Sequence, residues 1–326
     1  MDVPGLTVAV SCEAGGAQVL SAFIRARLSG REVRYVLEGP AADIFPARLG
    51  DVRRVGLSAV AALDPARDQV LVSTSWMPDL ERRAMALARE RGVRCAAFLD
   101  HWVNYRERFL PTRLWAAIPD DWAQHLPDLV VVADAYAREL ALAQGFPRER
   151  LRLEENHYLA AVREALRARR SPAAPAGERR VLWVCEPVAG DNADTYADAD
   201  RLGFDEFTLL DALARAARGL PLRVRLRPHP NEDPAKYAPA VAACDRLSLS
   251  PNRDLLDDLA WADAVVGAES MALVIALVAG KPVFSYFPPA AKRRCSLPHK
   301  EIRHANALPD IFATILGMPP TMDEPI

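Results

Sequence analysis

Three short stretches of this chain concentrate side chains that hold anions or move protons. "RPHPNE" (227–232) sets Arg227, His229 and Glu232 around Pro228 and Pro230, directly after the strand-like run "LPLRVRL". Proline on either side of His229 restricts the backbone and so fixes the direction of the imidazole before any ligand arrives. "VVGAESMALVIALVAG" ends a strand at Gly267, continues through Glu269 and Ser270, and opens a very apolar helix. A serine there caps the helix; with the free amides of the first turn, its hydroxyl also suits a phosphate oxygen. "FLDHWVNYRERF" puts Asp100 and His101 after an apolar strand, followed by Trp102, Asn104, Tyr105, Arg106 and Arg108. Aromatic rings stack on apolar sugar faces and guanidinium forks hold acid groups, so the stretch fits a sugar or a carboxylate. The same pattern also describes a loop that its aromatics anchor to the core.

These stretches need strands to hold them at one rim, and the chain has the rhythm for it. "LTVAVS", "VRYVLEG", "VRRVGLS", "QVLVSTS", "VRCAAFLD", "LVVVAD" and "LRLEEN" read as β-rich runs, with "AQVLSAFIRARLSG", "ERRAMALARERG" and "AYARELALAQG" as amphipathic helices between them. Glycine closes these helices at Gly30, Gly92 and Gly145. After "RARRSPAAPAGERR" (167–180), a Pro-, Ala- and Arg-rich linker, the alternation restarts with "VLWVCE" and runs to "PVFSYF". The expected architecture is α/β: a Rossmann-like domain over 1–166, the linker, and a second Rossmann-like domain over 181–326, the two facing across a cleft. The anion-holding stretches then lie beyond the carboxyl ends of strands, where open parallel sheets bind ligands.

Composition narrows the partners. Of 326 residues, 41 are Lys or Arg and 43 Asp or Glu, a net charge of -2 that gives no overall pull toward nucleic acid or an anionic membrane. Any anion site must be local. Cys12, Cys95, Cys185, Cys244 and Cys295 have no CxxC spacing, and several lie in apolar runs, so they read as small core hydrophobes in a reducing compartment. No segment reads as a signal peptide or a membrane span, which makes the cytoplasm the expected location. The acidic "DNADTYADAD" (191–200) lacks the pattern of a calcium loop and reads as solvated, so no metal site is expected. "KRR" (292–294) reads as a solvated surface, with help in holding an acidic acceptor as the alternative.

With the motifs in place, the second domain resembles the carboxy-terminal half of GT-B-fold bacterial glycosyltransferases that carry an HP motif and a serine motif. That group includes sialyl- and polysialyltransferases, Kdo transferases and CDP-glycerol glycerophosphotransferases. The resemblance implies that His229 and Ser270 engage the phosphate of a nucleotide-sugar donor, commonly a cytidine one. The first domain is similar to that of uncharacterised polysaccharide-biosynthesis proteins through "SCEAGGAQ" and "FLDHWVNYRERF", and no residue role carries over from it.

Transfer from such a donor needs stabilisation of the departing phosphate and a base for the acceptor's proton. Arg227, His229, Pro230, Glu232, Gly267, Glu269 and Ser270 form the expected donor loops, and Glu186 after "VLWVC" is the expected acceptor for cytosine's amine. Asp100 or His101 is the expected base, with Glu13 as rival. Gly15 and Gly16 either let backbone approach a substrate or make a tight turn. The expectation is a glycosyltransferase with no cofactor beyond a CMP- or CDP-linked co-substrate, or a UDP-linked one, acting on a surface polysaccharide or glycan. A UDP-sugar 2-epimerase or hydrolase of the same fold and a non-catalytic nucleotide-sugar-binding partner are the alternatives.

Overall fold

The computed structural model describes residues 5–169, 175, 177–189, 202–229, 232–252 and 254–318. The chain divides into two compact units, Met1–Ala161 and Val162–Ile326. In the first unit, strands β1 (Thr7–Ser11), β2 (Val33–Leu37), β3 (Gln69–Val72), β4 (Arg94–Phe98), β5 (Leu129–Val132) and β6 (Leu151–Leu153) pair in the order β2-β1-β3-β4-β5-β6. Every pairing is parallel. Its helices are α1 (Ala14–Arg27), α2 (Ala41–Leu49), α3 (Leu80–Arg91) and α4 (Ala135–Ala143), and the chain passes into the second unit within α5 (His157–Arg167). A parallel sheet covered on both faces needs strands apolar on both sides, and β1 is buried at all five positions. Leu20 and Ile24 of α1 and Phe45 of α2 close the core over β1 and β3. Gly92 takes the left-handed conformation that ends α3.

"VRRVGLS" is not a strand. Only an isolated bridge joins Arg54 to Tyr35, and a 3-10 turn, Leu57–Ala62, follows. Arg53 and Arg54 are exposed, and Val52 alone of the run packs against the core cluster.

The second unit repeats the plan. Strands β7 (Arg179–Val184), β8 (Leu222–Arg227), β9 (Leu247–Leu249), β10 (Ala264–Gly267), β11 (Val283–Tyr286) and β12 (Arg303–Ala305) are all parallel, in the order β12-β11-β10-β7-β8-β9. Helices α6 (Glu206–Ala217), α7 (Ala238–Ala243), α8 (Leu255–Trp261), α9 (Met271–Val278) and α10 (Leu308–Leu316) complete it. Leu213 of α6, Phe312 of α10, Tyr237 and the inward residues of β7 and β8 form its core.

In each sheet the strand order turns back on itself once, between β1 and β3 and between β7 and β10. Connections leaving such a pair in opposite directions open a crevice at the strands' carboxyl ends, the usual ligand position in open parallel sheets. Among the described residues no helix is long and apolar enough to cross a membrane.

Candidate functional site

At the first reversal, β1 ends in Ser11 and hands the chain through Cys12 and Glu13 to α1. The Glu13 carboxylate accepts the backbone N–H of Trp76 at 2.8 Å and of Met77 at 3.4 Å, just beyond the end of β3. It is half-buried. Behind it lies Glu81, on the first turn of α3 and essentially inaccessible. Its Oε1 accepts from Cys12 N at 2.9 Å, Ser73 Oγ at 2.9 Å and Ser75 Oγ at 2.7 Å. Burial raises the pKa of Glu81, against the lowering effect of these bonds. Burial, helped by the negative charge of Glu81, also pushes the Cys12 thiol up to about 11. Sequence reasoning missed Glu81, although the polar run "STS" at a buried strand end was a sign that some acceptor had to be near.

Gly15 and Gly16 do permit a close approach, but to their own sheet. A Cβ on Gly15 would overlap Asp100 Oδ2, and one on Gly16 would stand 2.6 Å from Ser73 Cβ. Asp100 itself is 9% exposed and paired with buried Arg108, Nη1 to Oδ1 at 3.0 Å, while the Thr74 hydroxyl donates to the same oxygen at 3.3 Å. His101 is half-buried beside it, its ring 5.9 Å from that of Trp102.

The rest of "DHWVNYRERF" turns inward, unlike the sugar platform expected from its composition. The Trp102 indole N–H donates to Asp134 at 3.2 Å, and Asp134 caps α4 by accepting from Ala137 N. Tyr105 is fully buried, its ring edge-on to Phe146. Arg106 donates to the Gln144 carbonyl at 2.6 Å and lies over the Trp122 ring at 5.2 Å. Asn104 is exposed and has φ of 55°, a left-handed value that asparagine tolerates better than most residues. Aromatic packing fixes this loop; its rings have no open face for a sugar.

At the second reversal, β7 leads to Glu186, β8 to His229, and β10 to the loop before α9. Glu186 Oε1 accepts three backbone N–H groups, from Ala268 at 3.0 Å, Glu269 at 2.9 Å and Ser270 at 3.1 Å. These three amides precede α9 and hold the protein's own carboxylate through one of its oxygens. Ser270 caps α9, its Oγ accepting from Ala272 N at 3.2 Å; the hydroxyl keeps a proton to donate. Gly267 is buried, with its Cβ position 3.2 Å from Val184 Cβ, so glycine lets β10 and β7 pack there. Glu269 Oε2 accepts from Ser296 N and Oγ at 3.1 and 3.0 Å, and Glu269 also pairs with Arg293.

Two members of "RPHPNE" are structural. Arg227 turns toward β9 and α8, where it meets Asp258 at 2.6 Å and the Asn252 carbonyl. Asp258, fully buried, also collects Arg225, Ser250 and Asn252. The Nη1 end of the Arg227 guanidinium is thus committed to this knot. Glu232 folds back: its Oε2 accepts His229 N and Tyr237 Oη, each at 2.9 Å, and its other oxygen pairs with Lys236. Burial alone would lower the pKa of Lys236, but Glu206 and Glu232 together raise it. The result is a clamp on the backbone of His229, whose side chain is half-buried. Pro230 and the acidic run 191–200 lie outside the described residues. Among the described residues no three His, Cys, Asp or Glu side chains group closely enough to hold a metal ion.

No family model matches the chain. No curated protein sequence matches it. Solved structures do. A structure of Anabaena Alr3699/HepE in complex with UDP and glucose is 13% identical, with a TM-score of 0.58 over 95% of this chain and 89% of that one. S. aureus MnaA bound to UDP is 12% identical, with a TM-score of 0.59 over 86% and 79%. The glycotransferase of kitacinnamycin is 16% identical, with a TM-score of 0.57 over 96% and 90%. Identities this low speak for the fold alone: with its two six-stranded parallel sheets flanked by helices, the chain has the two-domain, Rossmann-like GT-B fold.

Proposed function

We propose that the protein is a glycosyltransferase that takes a sugar from a pyrimidine-nucleotide donor and passes it to a glycan acceptor. One observation carries the reading: Glu13 in one sheet, and His229 and Ser270 in the other, stand at or beside the reversals of strand order. In this reading the acceptor hydroxyl gives its proton to Glu13 and its oxygen attacks the anomeric carbon. The bond to the phosphate oxygen breaks, and the charge left on the nucleotide is met by the Ser270 hydroxyl and the His229 imidazole. Glu186 occupies the neighbouring amides, so these two side chains are the contacts proposed for the phosphate. Asp100, held by Arg108, orients the rim and does not transfer the proton.

The cytidine donor and the surface-polysaccharide acceptor rest on the motif resemblance. Uridine has support from the fold neighbours bound to UDP. A thermal-shift panel of CMP, CDP, UMP, UDP, GDP and ADP at equal concentrations decides between them, since a ligand of the folded state stabilises it by mass action. The pyrimidine nucleotides should raise the midpoint, and Ser270→Ala and His229→Ala should each reduce that rise. A UDP preference, with donor consumed but no sugar transferred to any acceptor, would favour a 2-epimerase; a neighbouring fold is that of a putative UDP-N-acetylglucosamine 2-epimerase from Listeria monocytogenes. No shift with any nucleotide would end the proposal.

A further inference from the structure

Beyond the carboxyl ends of β11 and β12 lies a cavity of about 350 Å³, within the range of small-molecule sites. Apolar Phe287 and Pro288 line it together with Arg293, Arg294 and His304. Among the described residues the side chains of Arg294 and His304 have no hydrogen-bond or ion-pair partner. Arg293 is held by Glu269, a carboxylate that also accepts both donors of Ser296.

The wall is built, not loose. Ser285 Oγ donates to the Ala268 carbonyl at 2.6 Å, and Lys292 N donates to the Leu202 carbonyl at 2.9 Å. Gly203, at φ of 75°, lies so close to the Ala290 carbonyl that any Cβ would overlap it. A site shaped before its ligand arrives loses little ordering entropy on binding.

We propose that this cavity binds a sugar-sized acid, a carboxylate or phosphate carried on a pyranose-sized body. The open guanidinium fork of Arg294 matches either oxyanion, and the apolar lining from Phe287 and Pro288 suits the apolar face of a ring. The site does not depend on the transfer reading. It lies at the ends of β11 and β12, past β10 from the reversal where the nucleotide is proposed.

The test is calorimetric titration of the full chain with glucuronate, glucose 1-phosphate and glucose, with the best nucleotide of the panel run in parallel. At least one acid should bind saturably and glucose should not; which acid binds separates carboxylate from phosphate. Arg294→Ala should weaken the acid on the order of tenfold or more and leave nucleotide affinity and the thermal midpoint unchanged, because Arg294 is exposed. Ala291→Phe, which fills the cavity from its lining, should abolish acid binding in a second way. Glucose binding as well as the acids, no saturable binding by either acid, or wild-type acid affinity in Arg294→Ala would each overturn the proposal. Acid binding lost while nucleotide binding persists sinks only the cavity; the reverse result sinks only the transferase reading.

Discussion

Glu13 and Asp100 are both carboxylates at strand ends of the first sheet, and their surroundings separate their roles. Asp100 faces Arg108 at 3.0 Å where both are over 90% buried, so taking a proton there would leave a buried guanidinium uncompensated. Glu13 is half-buried and its carboxylate accepts from the backbone N–H groups of Trp76 and Met77, one on each oxygen, which leaves lone pairs on both. Glu13→Gln should therefore keep the fold and lower turnover by about two to four orders of magnitude. Asp100→Asn should cost on the order of 3 kcal/mol of stability, by stripping Arg108 of its counter-charge, and leave turnover per folded molecule closer to wild type. Urea unfolding and steady-state rates on the same samples separate the two effects. A fully stable but inactive Asp100→Asn beside an active Glu13→Gln would reverse the assignment.

At the scale of elements, the strands after which chemistry occurs were legible, and the direction of the side chains was not. Alternating β-rich and amphipathic runs marked β1, β3, β7 and β10, because strands buried on both faces must be largely apolar, and β8 showed as a strict alternation of apolar residues and arginine. Short, polar β12 left no such mark. Nor does a sequence say which way a charged side chain leaves a strand end. Arg227 turned to Asp258, 31 residues on, and Glu186 crossed to amides more than 80 residues on. Glu232 closed on His229, only three residues back. Each outcome satisfies a buried polar group that would otherwise be unpaired, and that demand is set by neighbours in space. The Glu186 contact predicts its own consequence. Glu186→Ala leaves three amides in the loop before α9 without their acceptor and should cost about 1–3 kcal/mol. Inorganic phosphate should restore part of the loss in the variant and do nothing for the wild type, since the vacated nest suits an oxyanion. A variant as stable as wild type, or one indifferent to phosphate, would show that the nest has no such preference.

For the whole molecule, the consequence of two compact units is thermodynamic. The cluster over β1 and β3 draws on residues no later than Val131, and the cluster around β7 and β8 on none earlier than Val181. Cores that share no residues can melt separately, and a chain of two such units departs from a single all-or-none transition. Scanning calorimetry should resolve two transitions. Nucleotide at about a hundred times its Kd adds about 2.7 kcal/mol to whatever unit it binds, so it should raise one transition and leave the other in place. If the phosphate is met by His229 and Ser270, the transition that moves belongs to the second unit, and Ser270→Ala should shrink that shift while Glu13→Gln leaves it intact. A shift that follows Glu13 instead would transfer nucleotide binding to the first unit. One cooperative transition that rises as a whole would mean that the two cores, though built from separate residues, do not unfold independently.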